Sequence, residues 1–385
     1  MLPLQGVRIL DLGTVLMAPY ASQWLADLGA DVIKVEPPAG DSTRRTGITA
    51  EDNMAAMFLS LNRNKRGIVL DLKTAEGRQA LLRLVDEADI LIQNTRPQKM
   101  RALGLDPTTL LDRHPRLIYA SFHGFGVTGP YGGQPAYDDV IQGMCGLVDL
   151  MDQNLGAPRY VPSSIADKTA GLIGAVSILA ALHKRDRTGM GGHVEIPMFE
   201  SMVSFTAVEH FAGLHYVPPR GPAAYSRIMA GERRPFATAN GYICVLPYTD
   251  THWRSLFVEC QRGDLLADTR FQSMAARTEN TSALYAILAG ILVGRTTEAW
   301  VQILDRLEIP CGRIASLTEL LRDPQLVKTD FFSTIESEGS GTVKFPGVPI
   351  LFDGKRPPIR MAPRLGQHTR EVLDCGAWLP MDTAD

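Results

Sequence analysis

Asp167 is the residue of this chain with the clearest capacity for chemistry. It follows Ser163-Ser164-Ile165-Ala166, at the predicted start of a long apolar helix that the two serine hydroxyls could cap. The dipole and the free N–H groups of a first helical turn favour a carboxylate anion, and the same N–H groups can stabilise an oxyanion. The small residues Ala166, Ala170 and Gly171 would let a ligand approach closely. Because an aspartate in a first turn also stabilises helices, the local sequence leaves a nucleophile and a structural residue both open.

A second set of polar residues could bind an anion. Residues 62–66, Asn-Arg-Asn-Lys-Arg, precede a predicted strand, Lys73 follows that strand, and residues 94–96, Asn-Thr-Arg, end the next one. The carboxyl ends of neighbouring parallel strands bound the usual ligand crevice of an α/β sheet. These groups could therefore converge on a ligand that carries phosphates and an adenine, or they could form a solvated rim of loops.

Several familiar catalytic motifs are missing from the sequence. It contains no phosphate-binding P-loop, no H-E-x-x-H helix and no G-x-S-x-G nucleophile elbow. Residues 124–129 spell G-x-G-x-x-G, but Pro130 follows them directly and they come after a late strand. Because a dinucleotide fingerprint follows the first strand and opens a helix, this segment is interpreted as a turn-rich loop.

The elements that must position these residues alternate between strands and helices. Strands are predicted at residues 7–12, 31–36, 67–72, 89–93, 117–122 and 193–198, and helices at 19–28, 75–88, 138–149, 163–184 and 200–213. This alternation predicts an α/β fold with a Rossmann-like parallel sheet.

The second half of the chain has a different pattern. A β pair at 236–246 and helices at 253–260, 282–293 and 297–307 predict a smaller α+β domain. Five prolines within residues 331–379 favour an extended return path rather than helices. The predicted domains are a large domain of residues 1–215, completed by 331–385, and a small domain of residues 216–330.

The amino-acid composition limits which binding partners and which cellular compartment are expected. The 385 residues include 39 Lys and Arg against 42 Asp and Glu, a net charge of −3, which disfavours nucleic acid and anionic membranes as partners. Five separated cysteines without C-x-x-C and a start without a signal-peptide pattern favour a reducing, cytoplasmic location. The longest uncharged stretch, residues 169–183, is shorter than a bilayer span and is predicted to be a buried helix.

The motifs resemble one family over most of the chain. The segments GVRILDLGTVLMAPYASQWLADLGADVIKVEPPAGDSTR, LNRNKRGIVLDLK, ILIQNTRP, LIYASFHGFGVTGPYGGQPAYDDVIQGMCGL and IADKTAGLIGAVSILAALHKRDRTGMGGHVEIPMFESM are similar, in order, to class III CoA-transferases of the CaiB/BaiF family. The resemblance implies a Rossmann-like large domain, a small domain and two ring-shaped subunits interlocked as a homodimer.

The same resemblance implies the chemistry. Asp167 matches the catalytic aspartate, which would accept CoA from an acyl-CoA thioester and pass it to a free carboxylic acid without a metal or a permanently bound cofactor. By resemblance, the CoA substrate would contact Val15, Leu16, Leu70, Asp71, Leu72, Lys73, Asn94, Thr95, Arg96, Arg101, Gln134, Pro135, Ala136 and Tyr137. Lys73 and Arg96 are the expected phosphate partners by charge. Pro37, Thr95 and Ala102 depart from residues common in the family.

Two alternative functions stay open, and so does the way in which the substrate is bound. The family includes α-methylacyl-CoA racemases, which pair a histidine with the aspartate, but Tyr137 stands at that position here and His123 is expected to be a hydrogen-bonded loop residue. A non-catalytic CoA-binding paralogue is the second alternative. For the substrate, the loop of Arg44 and Arg45 or residues 227–234 could bind a second carboxylate of a small diacid, or could be surface charge.

Overall fold

The structure is a computed structural model that describes residues 1–49, 53–337, 339–374 and 378. The chain forms two compact units. The first comprises Met1–Val148, Tyr160–Thr206 and Pro324–Asp385, and the second comprises Asp149–Arg159 and Ala207–Asp323. These divisions differ from the predicted boundaries by up to nine residues and assign residues 149–159 to the second unit. Two of the boundaries between the units fall inside helices, where the sequence contains no turn residue to indicate them.

A six-stranded parallel sheet forms the centre of the first unit. Its strands are β1 Arg8–Asp11, β2 Asp31–Glu36, β3 Arg66–Val69, β4 Ile90–Gln93, β5 Ile118–His123 and β6 Gly192–Pro197. The order is β3-β2-β1-β4-β5-β6, which confirms the Rossmann-like α/β prediction. Neighbouring residues such as Ile9 and Leu10 are both fully buried, one in each of two apolar clusters. The strands therefore read as apolar runs because the sheet is covered on both faces.

Helices follow these strands along the chain. They are α1 Met17–Asp27, α2 Ala56–Asn62, α3 Ala75–Val85, α4 Pro97–Leu103, α5 Pro107–Arg113, α6 Asp138–Met144, α7 Leu147–Leu155, α8 Ile165–Thr188 and α9 Met198–His210, with a 3-10 turn at Ser42–Arg45. From Asp149 onward α7 belongs to the second unit, as does α9 from Ala207 onward. The single helix predicted at 138–149 is two helices, because Gly146 adopts a left-handed conformation (φ 85°) between them.

The small residues of α8 serve packing against neighbouring elements. A Cβ on Gly171 would lie 2.8 Å from the Met17 carbonyl oxygen, and one on Gly174 would overlap the Phe122 ring. Ala166 and Ala170 are fully buried in the core. The expectation that these residues leave room for a ligand is therefore wrong, since that room is filled by α1 and β5.

Helix α8 is long and apolar enough to pass a length-and-composition test for a membrane span, with 39% of its most apolar stretch buried within the protein. One face carries buried residues such as Ile178, whereas Leu172, Ile173 and Val176 are exposed. The prediction of a buried helix holds for one face of α8 and is wrong for the other.

The second unit is α+β. Its antiparallel sheet contains β7 Phe236–Ala237, β8 Tyr242–Val245 and β9 Cys311–Arg313, and its helices are α10 Ser226–Met229, α11 Asp250–Glu259, α12 Gly263–Ala267, α13 Met274–Glu279, α14 Thr281–Leu292 and α15 Thr297–Arg306, with 3-10 turns at Ala212–His215 and Glu319–Arg322. Trp253, Leu256 and Trp300 lie in its apolar core.

The C-terminal return is more ordered than its prolines suggest. After α16 Pro324–Lys328, strands β10 Phe332–Ser337 and β11 Gly341–Pro346 form an antiparallel hairpin, and α17 Thr369–Asp374 follows. The expectation of an extended path rather than helices is wrong for α17, which begins six residues after Pro363 and buries Val372 in the core. Cys145, Cys244, Cys260 and Cys311 are free thiols, and Cys375 lies outside the described residues.

Candidate active site

A cavity of about 450 Å³ opens at the carboxyl edge of the sheet in the first unit. It lies beyond the ends of β1, β4 and β5, and β1 and β4 are neighbours at the point where the strand order reverses. This switch point is the usual ligand crevice of an open α/β sheet. The lining residues are Thr14, Val15, Leu16, Met17, Asn94, Arg96, Pro97, Lys99, Phe122, His123, Gly124, Phe125, Gly133, Gln134, Pro135, Ala136, Tyr137, Asp167 and Met198.

Asp167 projects into this cavity from the first turn of α8. Its side chain is half-buried, and burial, with the nearby charge of Asp138 as the second cause, raises its pKa to about 7. A carboxylate with that pKa is a stronger base than an exposed aspartate, and it is about half ionised at neutral pH. The site therefore holds a carboxylate whose charge is poorly solvated.

Asp138, at the start of α6, caps α8 from outside the helix. Its Oδ1 accepts the N–H groups of Ala166 (2.7 Å) and Asp167 (3.0 Å), and its Oδ2 accepts Nε2 of Gln142 (2.6 Å). Ser164 is the N-cap residue and makes no side-chain cap hydrogen bond. The predicted serine cap is wrong, and the two amides expected to stabilise an oxyanion are already bound to a carboxylate.

Asn94 fixes the loop after β1 by pairing with the backbone of Thr14. The Asn94 Oδ1 accepts the Thr14 N–H (2.9 Å), and its Nδ2 donates to the Thr14 carbonyl oxygen (2.7 Å). Val15, the next residue, has a left-handed backbone (φ 66°), which a β-branched side chain rarely adopts. Asn94 therefore lines the cavity and also holds its opposite wall.

His123 and Tyr137 also line the cavity. Burial is the main reason why the pKa of His123 is lowered, to about 4. The nearby Glu195 opposes this shift, and His193 adds to it. The imidazole is therefore neutral at pH 7. His123 is the last residue of β5, so the expectation that it lies in a loop is wrong. Tyr137 is 70% exposed and precedes α6.

The basic groups divide into two sets. Arg96 and Lys99 lie at the start of α4 and line the cavity, whereas Lys73 and Arg101 are not among its lining residues. Arg101 instead lies near Asp106, whose side chain caps α5. Burial opposes a lowered pKa of Asp106, but hydrogen bonds from Thr109 outweigh it, and the charge of Arg101 adds a smaller contribution in the same direction. The structure therefore brings Arg96 to the cavity together with a lysine that the sequence did not single out.

The other predicted CoA contacts divide in the same way. Val15, Leu16, Asn94, Arg96, Gln134, Pro135, Ala136 and Tyr137 line the cavity with Asp167, and Leu70, Asp71, Leu72, Lys73, Thr95 and Arg101 do not. The run 70–73 follows β3, an edge strand two positions away from β1. The Thr95 N–H donates to Oε1 of Gln93 (2.6 Å).

The basic run before β3 is not part of the cavity. Arg63 pairs with Asp27 (2.7 Å) and Lys65 pairs with Asp11 (2.9 Å), and all four side chains are buried. The expectation that this run converges on a ligand is wrong, because it precedes β3 and lies away from that strand's carboxyl end.

Arg44 is likewise unavailable to a substrate. Its side chain is 2% exposed, pairs with Glu36 (2.6 Å) and lies 3.7 Å from the centre of the Phe58 ring. The hypothesis that Arg44 binds a substrate carboxylate is therefore wrong.

The glycine-rich loop after β5 binds carboxylates of the protein itself. The N–H of Gly126 donates to Glu200 (3.0 Å) and that of Val127 to Glu195 (2.7 Å). A Cβ on Gly124 would lie 2.5 Å from that of Ala136. These glycines let the loop fold closely over the sheet, and no helix opens after them.

Sequence reasoning missed several lining residues: Thr14, Met17, Pro97, Lys99, Phe122, Gly124, Phe125, Gly133 and Met198. One usable signal existed, since Lys99 stands three residues after Arg96, in the helix that Pro97 begins after β4. Among the described residues, no group of three or more His, Cys, Asp or Glu side chains is arranged to hold a metal ion.

The fold and the site define an α/β enzyme with a desolvated carboxylate in a crevice rimmed by basic side chains. Residues 4–369 match the model of CoA-transferase family III, and the chain belongs to this family. It is 33% identical to a probable fatty acyl-CoA transferase of Mycobacterium tuberculosis, covering 96% of this chain and 97% of that protein. It is 32% identical to a succinyl-CoA:mesaconate CoA-transferase of Haloarcula hispanica, covering 96% of each. The crystal structure of a CaiB/BaiF family protein from Brucella suis has a TM-score of 0.80 and 33% identity, covering 97% of this chain and 100% of that one.

Proposed function

We propose that this CoA-transferase carries CoA as a thioester of Asp167 while it passes CoA between two carboxylic acids. The observation that supports the proposal is the position and state of Asp167. Among the described residues that line the cavity it is the one carboxylate, and its pKa is raised to about 7. A poorly solvated carboxylate is a better nucleophile than one in water, because less hydration must be removed before it attacks.

The reaction proceeds in two matched halves. The Asp167 carboxylate attacks the thioester carbon of the donor, the C–S bond breaks, and a mixed anhydride and CoA thiolate form. The thiolate then attacks the Asp167 carbonyl carbon, so that the donor acid leaves and aspartyl-CoA remains. The acceptor carboxylate repeats the two steps in reverse and regenerates Asp167. No net proton, electron or water is consumed. Because one CoA thioester is exchanged for another, the donor and the product are similar in energy.

The CoA chain binds along the opening of the cavity. Arg96, the N-cap residue of α4, and Lys99, in its first turn, supply cations for its phosphates. This assignment replaces Lys73 with Lys99, because Lys73 follows an edge strand and does not line the cavity. Val15, Leu16 and Tyr137 supply apolar surface beside it.

The acceptor is a small dicarboxylic acid. The Haloarcula relative, whose name specifies succinyl-CoA and mesaconate, supports this class. Arg44 is buried and paired with Glu36, so it does not bind the second carboxylate of the substrate. The guanidinium of Arg227, which belongs to the second unit, stacks over Tyr248 at 4.8 Å from the ring centre.

A mass measurement tests the covalent step. Incubation with succinyl-CoA and no acceptor, followed by quenching and intact-mass analysis, should show an adduct of CoA mass on the wild type. Asp167→Asn should lose the adduct and turnover, whereas Asp139→Asn, an exposed carboxylate in the first turn of α6, should keep both. Full transfer by Asp167→Asn would overturn the assignment.

Racemisation is the alternative reaction for this cavity, because His123 lies in it together with Asp167. With a pKa of about 4, His123 would be a weak base at neutral pH, and Tyr137 is a poor proton carrier there. A 2-methylacyl-CoA should therefore take up no α-deuterium from heavy water. Rapid uptake that is lost in Asp167→Asn, without CoA transfer to any acid, would favour the racemase.

We also infer a homodimer from the exposed face of α8. Leu172, Ile173 and Val176 are 42%, 36% and 66% exposed on consecutive turns. Such an apolar stripe marks a contact surface in soluble proteins. A monomer by light scattering at micromolar concentration would refute the inference, and Val176→Glu should weaken the dimer if this face forms it.

A further inference from the structure

The loop between β1 and α1 forms one wall of the cavity, and its backbone is bound by side chains from other segments. The Gly13 N–H donates to Oδ1 of Asp11 (2.8 Å), and the Gly13 carbonyl oxygen accepts Nζ of Lys34 (2.8 Å). The Val15 N–H donates to both carboxylate oxygens of Asp41, at 3.4 and 3.3 Å. The wall is therefore held from beneath at two successive points by Lys34 and Asp41.

Lys34 and Asp41 form an ion pair inside the protein. The Lys34 Nζ lies 3.1 Å from Oδ2 of Asp41, and the side chains are 1% and 0% exposed. Asp41 also accepts the N–H (2.9 Å) and the hydroxyl (2.8 Å) of Thr43. Burying two charges is costly unless each is well bonded, so this pair persists because both members have several partners.

The backbone of Val15 explains what the pair accomplishes. A φ of 66° is unfavourable for a β-branched residue and persists only where its surroundings impose it. The bonds of Asp41 to Val15 and of Lys34 to Gly13 impose that conformation from outside the loop, on either side of the Thr14 backbone that Asn94 holds. A loop freed from them would relax toward the extended or right-handed region, and the wall of the cavity would move.

We propose that Lys34 and Asp41 are positioning residues for acyl-CoA binding, which fix the loop of residues 13–16 in its binding conformation before CoA arrives. This inference rests on the proposed function, because it assigns the pair's purpose to the CoA cavity. Neither side chain lines the cavity, so they act through the loop backbone. Preorganisation of this kind favours binding because the ordering cost is met during folding.

The test neutralises both charges together. Removing one member would leave a buried unpaired charge and risk unfolding, whereas Lys34→Met with Asp41→Asn keeps size and leaves no net buried charge. The matched control is Arg63→Met with Asp27→Asn, which removes another buried ion pair (2.7 Å) whose side chains are 7% and 0% exposed. That pair joins the end of α1 to the segment before β3.

Calorimetry with free CoA and a thermal melt are the readouts. The Kd for CoA should be about tenfold or more higher in the Lys34/Asp41 variant than in the wild type, because a small displacement of the cavity wall weakens the contacts with CoA. The control should change the melting temperature and leave the Kd within about twofold. Equal Kd values for the Lys34/Asp41 variant and the wild type would overturn the inference, as would an equal loss of affinity in the control.

Hydrogen exchange of the wild type keeps the inference falsifiable if the variant does not fold. The amides of residues 13–15, which donate to Asp11, Asn94 and Asp41, should already be protected without CoA and gain little protection on binding. Free exchange that becomes protected only with CoA would overturn the preorganisation. Failure of the wild type to bind CoA would instead overturn the proposed function, and this inference with it.

Discussion

The ionisation of Asp167 should set the pH dependence of CoA transfer. With a pKa of about 7, the carboxylate is about one-tenth ionised at pH 6 and about nine-tenths at pH 8. Because the anion is the nucleophile, kcat/KM should rise about tenfold between these values and then level off. In this two-step exchange kcat/KM for the CoA donor depends only on the first half-reaction, so the titration of the acceptor acid does not contribute.

Asp138→Asn tests the cause of that pKa. Burial is the first cause of the raised value and the Asp138 charge is the second. An asparagine keeps one oxygen to accept the N–H groups of Ala166 and Asp167 but removes the charge. The midpoint of the profile should therefore fall below 7 and stay above 3.8, whereas Asp139→Asn should leave it unchanged.

The assay is the initial rate of transfer from succinyl-CoA at limiting concentration, followed from pH 5.5 to 8.5 in buffers of constant ionic strength. A flat profile for the wild type would refute the assignment of the nucleophile's pKa. An upward shift of the midpoint in Asp138→Asn would refute the electrostatic reasoning.

Three further predictions follow from the same geometry. Asp167→Asn should have a higher melting temperature than the wild type, by a margin that grows from pH 4.5 to 7.5. In the wild type, folding raises the pKa of Asp167 from 3.8 to about 7, so the free energy of unfolding falls over that interval, by no more than about 4 kcal/mol. A constant difference in melting temperature between the two proteins would contradict this prediction. Arg96→Ala and Lys99→Ala should each weaken CoA binding several-fold in calorimetry, less so at high salt, whereas Lys73→Ala should not, and the reverse pattern would place the phosphates beside β3. Gly174→Ala should lower the melting temperature through a clash costing about 1–3 kcal/mol, whereas Gly290→Ala in α14, where no atom lies within 4 Å of the added carbon, should raise it.

The sequence alone determined the class of fold and the place of the central carboxylate. Parallel strands that are covered on both faces are mostly apolar, so β1, β2, β4 and β5 were recognisable as short runs rich in apolar residues, although β1 ends in Asp11 and β2 contains the buried Lys34. Asp167 was recognisable because it is the acidic residue at the start of the longest apolar helix. These are local properties, which the order of residues records directly.

Tertiary structure alone decided which polar groups share the cavity. The basic run before β3 and Lys73 after it looked similar to Arg96 in sequence, but the order of strands in the sheet placed β4 beside β1 and moved β3 to the edge. Strand order depends on packing between distant segments, which local patterns do not encode. The capping of α8 by Asp138, 29 residues before Asp167, depends on such packing in the same way, as do the bonds of Lys34 to Gly13 and of Asp41 to Val15. The environment that gives Asp167 its pKa therefore exists only once these segments are folded together, because burial and neighbouring charge are properties of the assembled site.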